Sequence, residues 1–238
     1  MPLNTRPNRR SILRAAALAL SAPLGGCLST REGQSPAALA PAPGGAAPTG
    51  LDAFEAAYAS LPGERFPVEA IDLSRLDPAL LRREVAYDTA EAPGSIVVDP
   101  AARFLYLVEG GGRARRYGVG VGTEGAAWSG VARVNSKQEW PDWYPTAEML
   151  ERRPDIREVI TPLRSGMGIP GGPINPVGAR ALYLWQGKED TLYRIHGTTE
   201  PYTIGQAVSS GCVRMINQDV IDLYGRVAVG AKVTVLMP

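Results

Sequence analysis

The 238-residue sequence predicts a mainly β fold of antiparallel sheets, with a few peripheral helices and a short helical segment ahead of the sheets. Three observations carry that expectation. From Gly94 to Val121, β-branched and aromatic runs are cut by turn residues at short intervals, as consecutive hairpins require. Gly and Pro number 27 and 21, well above their roughly 12% share of average composition, which suits a chain with many tight turns. No regular strand–helix alternation is present, which argues against a doubly wound parallel sheet.

In chain order, the first 27 residues read as an export signal. Arg6, Arg9, Arg10 and Arg14 precede an apolar run from Ala15 to Leu24, and no acid occurs among them. That run is about half the roughly 20 residues a membrane-spanning helix needs. Asn8-Arg9-Arg10-Ser11 resembles a twin-arginine signal, and Leu24-Gly25-Gly26-Cys27 resembles a lipobox, which would make Cys27 a lipidation site and the chain a membrane-anchored envelope protein. From residue 28 to 50, 16 of 23 residues are Ala, Pro, Gly or Ser, too little apolar surface to order a core, so this is a flexible linker. Residues 51–91 read as short helices: Phe54, Ala57, Tyr58 and Leu61 share a helical face, and Asp77-Pro78 is an N-cap followed by a first-turn proline.

Strands are expected at Ile96–Val98, Phe104–Val108, Arg116–Val121, Val131–Val134, Ala181–Trp185, Leu192–His196 and Val233–Leu236. Helices are expected at Thr146–Arg153 and at Gln218–Val227, the latter behind Asn217 as N-cap. The β domain is thus residues 92–238.

Composition narrows the chemistry. Without the signal, 21 basic residues face 24 acidic ones, and no Lys/Arg cluster supplies the basic face that nucleic-acid binding needs. Two Cys and one His cannot furnish four zinc ligands of the usual kind. No metal and no cofactor is expected. His196 ends a predicted strand, and Cys212 follows 16 residues later across a loop holding Gly197, Pro201 and Gly205. A thiol beside an imidazole is a nucleophile–base pair. Gly211 leaves room for a carbonyl substrate and exposes backbone N–H groups for an oxyanion. Arg214 lies two residues beyond the thiol, on the same strand face, where it suits a substrate carboxylate.

His196-Gly197-Thr198, the loop, and Ser209-Ser210-Gly211-Cys212-Val213-Arg214-Met215 together resemble the signature of the L,D-transpeptidases, the YkuD-type bacterial cell-wall enzymes. Trp140-Pro141, Trp143-Tyr144-Pro145-Thr146 and Asn175-Pro176-Val177-Gly178-Ala179-Arg180 extend the likeness over residues 92–238. The resemblance implies a β-sandwich-like catalytic domain. Cys212 would be the nucleophile and His196 the general base, oriented by a backbone carbonyl such as that of Gly197. Gly211 and Cys212 N–H groups would hold the oxyanion, and Ser210 and Arg214 the substrate. Many members carry His where Ser210 stands, so His196 is left as the single base. The implied partners are peptidoglycan peptide stems: the thiolate expels a terminal D-Ala, and an amine of a second stem or of a protein acceptor resolves the thioester, in the periplasm or cell envelope. Two alternatives remain at this stage: an amidase or carboxypeptidase using water on the same stems, and a catalytically idle peptidoglycan-binding domain.

Overall fold

A computed structural model of the chain describes residues 50–122, 128–209 and 211–237. The expected signal, nearly all of the linker, Cys27 and Ser210 lie outside the described residues.

The described strands are β1 (Arg83–Ala86), β2 (Ile96–Asp99), β3 (Phe104–Gly110), β4 (Arg113–Gly118), β5 (Val121–Gly122), β6 (Gly130–Glu139), β7 (Thr161–Leu163), β8 (Gly166–Gly168), β9 (Arg180–Gln186), β10 (Glu189–His196), β11 (Ala207–Ser209), β12 (Val213–Arg214) and β13 (Lys232–Val235). Nine of them form one sheet in the order β1-β4-β3-β2-β13-β6-β9-β10-β12. Antiparallel pairing dominates, as the hairpin pattern predicts. The sheet is nevertheless mixed, because β2–β13 and β10–β12 are parallel, as is the small β5–β11 pair. Those partners are far apart in sequence or joined by a long loop, so no local turn signal announces them.

Strand β12, at one end of the order, also meets the chain leaving β4, the strand next to the other end. Just beyond β4, the Gly120 N–H donates to the Arg214 carbonyl at 2.9 Å, and the Arg214 N–H donates back at 2.8 Å. The sheet therefore curls around one core, in which Val98, Leu105, Tyr117, Val134, Leu182 and Ile195 are all fully buried. Helix α3 (Asn217–Arg226) closes that core with Val220, Leu223 and the following Val227, the period expected of an amphipathic helix. Helix α2 (Ala147–Arg152) starts where Thr146 Oγ1 accepts the Met149 N–H at 3.2 Å. No helix among the described residues is long and apolar enough to cross a membrane.

Ahead of the sheet, helix α1 (Leu51–Ala57) and two 3-10 turns match the expected helical segment. Asp77 accepts the Ala79 N–H at 2.8 Å, with Pro78 in the first turn. Two details differ. The helix ends at Ala57, so Leu61 instead bridges to Val68. Residues 83–86, which read as helical on sequence, form the edge strand β1 against β4.

Candidate active site

His196 is the last residue of β10, held between β9 (opposite Ala181) and β12 (beside Arg214). Its carbonyl accepts the Met215 N–H at 2.8 Å, and its imidazole is buried, 7% exposed. The Gly197 carbonyl lies 2.7 Å from Nδ1. A carbonyl can only accept, so Nδ1 carries the proton and the neutral ring keeps its lone pair on Nε2. Burial depresses the imidazole to a pKa of about 4, with the charges of Arg214 and Arg194 pushing the same way against the backbone carbonyls of Gly197 and Val177. The ring is thus a neutral acceptor at pH 7.

Cys212 enters from the other strand. In the parallel register Ile195 pairs with Val213 and His196 with Arg214, so Cys212 lies level with Arg194. Ile195, Val213 and Met215 point into the core; by the two-residue period the opposite face belongs to Arg194, His196, Cys212 and Arg214. One strand across and two residues along puts the His196 and Cys212 backbones about 8 Å apart. Cys212 is half-buried, and its Sγ lies 3.9 Å from the Leu192 carbonyl. Burial pushes the thiol above its ordinary range, opposed by the Arg194 backbone and the Arg194 charge. Arg194 is itself held in two contacts of 2.7 Å by the Asp190 carboxylate.

Gly211 has φ of +128°, a region that only glycine occupies without strain. It borders a small apolar hollow with Trp128, Tyr193 and Val213. Arg214 is mostly buried, and its Nη2 donates to Thr198 Oγ1 at 3.0 Å, Glu200 Oε2 at 2.8 Å and Thr203 Oγ1 at 2.9 Å. The guanidinium therefore ties down the segment between His196 and Cys212.

The structure also shows residues that sequence reasoning missed. Asn217, read as the N-cap of α3, is its first helical residue and caps nothing; the cap position is Ile216. Its amide faces the histidine loop instead. Oδ1 accepts the N–H groups of Ala179 at 3.0 Å and Thr198 at 3.3 Å, and Nδ2 donates to the Thr198 carbonyl at 3.0 Å. A Cβ on Gly178 or Gly197 would fall 2.3 or 2.2 Å from that oxygen, so both glycines are needed for the fit. Asn175 works similarly, fully buried, with Nδ2 donating to the carbonyls of Pro141, Ile169 and Pro170. The sequence signal for Asn175 was its Gly/Pro-rich stretch, which reads as a turn, and for Asn217 its place ahead of an apolar-periodic run, which reads as a cap.

Among the described residues no three His, Cys, Asp or Glu side chains gather as a metal site. What the arrangement offers is a neutral imidazole with a fixed tautomer, a thiol on the same strand face, and two arginines flanking both.

Residues 93–235 match the L,D-transpeptidase catalytic domain (YkuD) family, and the chain belongs to that family. It is 34% identical to the "Probable L,D-transpeptidase YbiS" of Escherichia coli over 142 residues, 59% of this chain and 43% of that one. The "Putative L,D-transpeptidase YkuD" of Bacillus subtilis is 48% identical over 61 residues, 26% of this chain and 37% of that one. The chain thus spans less than half the length of these curated relatives. A solved structure from Brucella melitensis, described as a probable carnitine operon oxidoreductase, is 48% identical; the match covers 69% of this chain and 99% of that one, with a TM-score of 0.44.

Proposed function

We propose that the protein is an exported L,D-transpeptidase that cleaves the terminal D-Ala from tetrapeptide stems of peptidoglycan and passes the shortened stem to an amine. The observation that carries this is the pairing of β10 with β12, which sets the one imidazole of the chain, neutral and tautomer-fixed, on the same face as Cys212.

Cys212 Sγ attacks the carbonyl of the third stem residue while its proton passes to His196 Nε2. The N–H groups around Gly211 and Cys212 stabilise the tetrahedral oxyanion. The C–N bond to D-Ala then breaks, the proton on His196 goes to the departing amine, and a thioester remains. An acceptor amine gives its proton to His196, attacks the thioester and releases the thiol. Ser210 and Arg214 hold the donor stem, Arg214 while keeping the Thr198–Thr203 segment in place. Export by the N-terminal signal, with a lipid on Cys27 and a flexible linker behind it, would deliver this domain to the cell envelope, where stems occur.

Incubating the mature protein with purified muropeptides and reading products by mass spectrometry tests the proposal. Cross-linked dimers and released D-Ala are expected. Trimmed monomers alone would make water the acceptor and the protein a carboxypeptidase, and unchanged substrate would leave a binding domain.

A further inference from the structure

The segment ahead of the family domain does more than cover a face of it. The first three residues of α3 point two ways. Asn217 grips the backbone of Ala179 and Thr198, on either side of the loop that holds the imidazole. Its neighbours grip residues 57–82. Gln218 Nε2 donates to the carbonyls of Tyr58, Ala59 and Glu69 at 3.4, 3.2 and 2.8 Å. Asp219, with no exposed surface, accepts the Tyr58 hydroxyl at 3.0 Å and faces Arg82 Nη1 at 3.4 Å. Arg82 closes the ring: its backbone N–H donates to the Tyr58 hydroxyl at 2.7 Å, and its guanidinium to the carbonyls of Gln218 and Ala57 at 2.9 and 3.1 Å. Ile216, immediately before Asn217, is buried among Tyr58, Leu76 and Leu81. All of the partners from 57 to 82 lie outside the matched domain, residues 93–235.

We infer that the N-terminal segment, through Tyr58, Arg82 and the Gln218–Asp219 step, is a positioning element for His196: it sets the first turn of α3, and Asn217 on that turn sets the Gly197–Thr198 backbone that orients the ring. The physical reason is the density of the grip. Apart from Gln218 Oε1, which has no partner among the described residues, these buried polar groups are each held by one or more partners, and few arrangements keep them so, since each lost partner leaves a desolvated donor or acceptor. Asn217 cannot rotate to compensate because Gly178 and Gly197 pack against its oxygen. A shift of α3 is thus passed to the Gly197 carbonyl, whose 2.7 Å contact fixes the imidazole proton on Nδ1. The effect on catalysis rests on the reading of His196 as the base; the effect on the ring does not.

The chain has one His, so ring ¹⁵N NMR of the full-length protein labelled at histidine reports this site without assignment. Three variants are compared: Asn217→Ala at the inner arm, and Tyr58→Phe and Gln218→Met at the outer arm. Thr146→Ala, at the cap of α2, serves as a destabilised control that touches none of these groups. Tyr58→Phe removes a single hydroxyl and is the variant expected to fold in every case. All three should move the ring nitrogens from the fixed Nδ1–H pattern toward a tautomer mixture and speed exchange of the ring proton. Muropeptide turnover should fall in kcat on the order of tenfold with KM little changed, while Thr146→Ala leaves the ring where it was. If Asn217→Ala moves the ring but Tyr58→Phe and Gln218→Met do not, the segment is merely docked and the inference fails. It fails equally if none moves it, or if Thr146→Ala moves it as far. Wild-type protein with a fixed ring and no turnover would count against the proposed reaction and leave this coupling standing.

Discussion

Acid titration of His196 tests the site most directly, and its magnitude follows from the structure. Burial, aided by Arg214 and Arg194, lowers the imidazole from an ordinary 6.5 to about 4. A depression of that size corresponds to about 3 kcal/mol against protonating the folded state. Between pH 6.5 and 4 the unfolded chain takes up a proton that the folded chain refuses. His196 therefore stabilises the fold fully above pH 6.5, and the contribution is lost as pH falls to 4. The perturbation is His196→Gln, which keeps a polar side chain but cannot titrate. Urea unfolding at steps from pH 4 to 7.5, on wild type and variant, gives the difference in slope. The wild type should lose about 3 kcal/mol more than the variant on acidification, and NMR of the single imidazole should give a midpoint near 4. A midpoint at or above 6.5, or parallel stability curves, would refute a desolvated neutral ring, and with it the base assigned to the proposed reaction.

Asp219 supplies the opposite slope. Its burial raises it to about 7, so the folded state retains a proton that the unfolded chain releases, and up to about 4 kcal/mol is lost as pH rises from 3.8 to 7; Asp219→Asn should flatten this limb in the same urea series. His196→Ala should remain folded above pH 7, with a lowered melting midpoint from the cavity and the unpartnered Gly197 carbonyl, yet lose acylation of Cys212 on the order of 10²–10⁴-fold, read by intact-mass spectrometry. Gly178→Ala puts a Cβ 2.3 Å from Asn217 Oδ1 and 2.6 Å from the Thr198 nitrogen at a φ of +66°. It should cost at least about 2 kcal/mol, and an unshifted melting midpoint would show that the loop yields. Cys27→Ala should abolish incorporation of labelled lipid and release the protein from the membrane fraction; equal labelling of the two forms would end the lipobox reading.

What the sequence made legible was whatever is encoded locally. The continuous apolar runs Ile96–Val98 and Phe104–Val108 mark β2 and β3, which start where expected and run on to Asp99 and Gly110, and the Asp77-Pro78 pair caps its turn. His196 and Cys212 could be paired because no other imidazole exists. What stayed hidden depended on partners distant in sequence. Arg83-Glu84-Val85-Ala86 is too polar to announce a strand and becomes one only because β4 offers an open edge 30 residues on. The parallel pairs leave no mark on either strand. Asn217 sits where a cap belongs, and only the approach of Gly178 and Gly197 turns its amide away from α3. Arg194 was visible beside His196, but its place opposite Cys212 needed the register.

That register also changes how the thiol is to be understood. A local reading, with a glycine, an imidazole and an arginine nearby, suggests a thiolate formed in advance. The folded site is arranged otherwise: burial raises the thiol, while burial and two guanidinium charges lower the imidazole. Both shifts oppose transfer of the proton from sulfur to nitrogen in the resting site, so the neutral pair is the stable one. Arg194 favours thiolate and disfavours imidazolium in the same position, and therefore cannot drive the transfer by itself. In the proposed reaction the proton must leave sulfur as the S–C bond forms, when negative charge passes to an oxyanion held by backbone N–H groups. Reactivity is then conditional on a bound carbonyl. A site built this way keeps its thiol protonated toward passing electrophiles and engages it only on a seated donor.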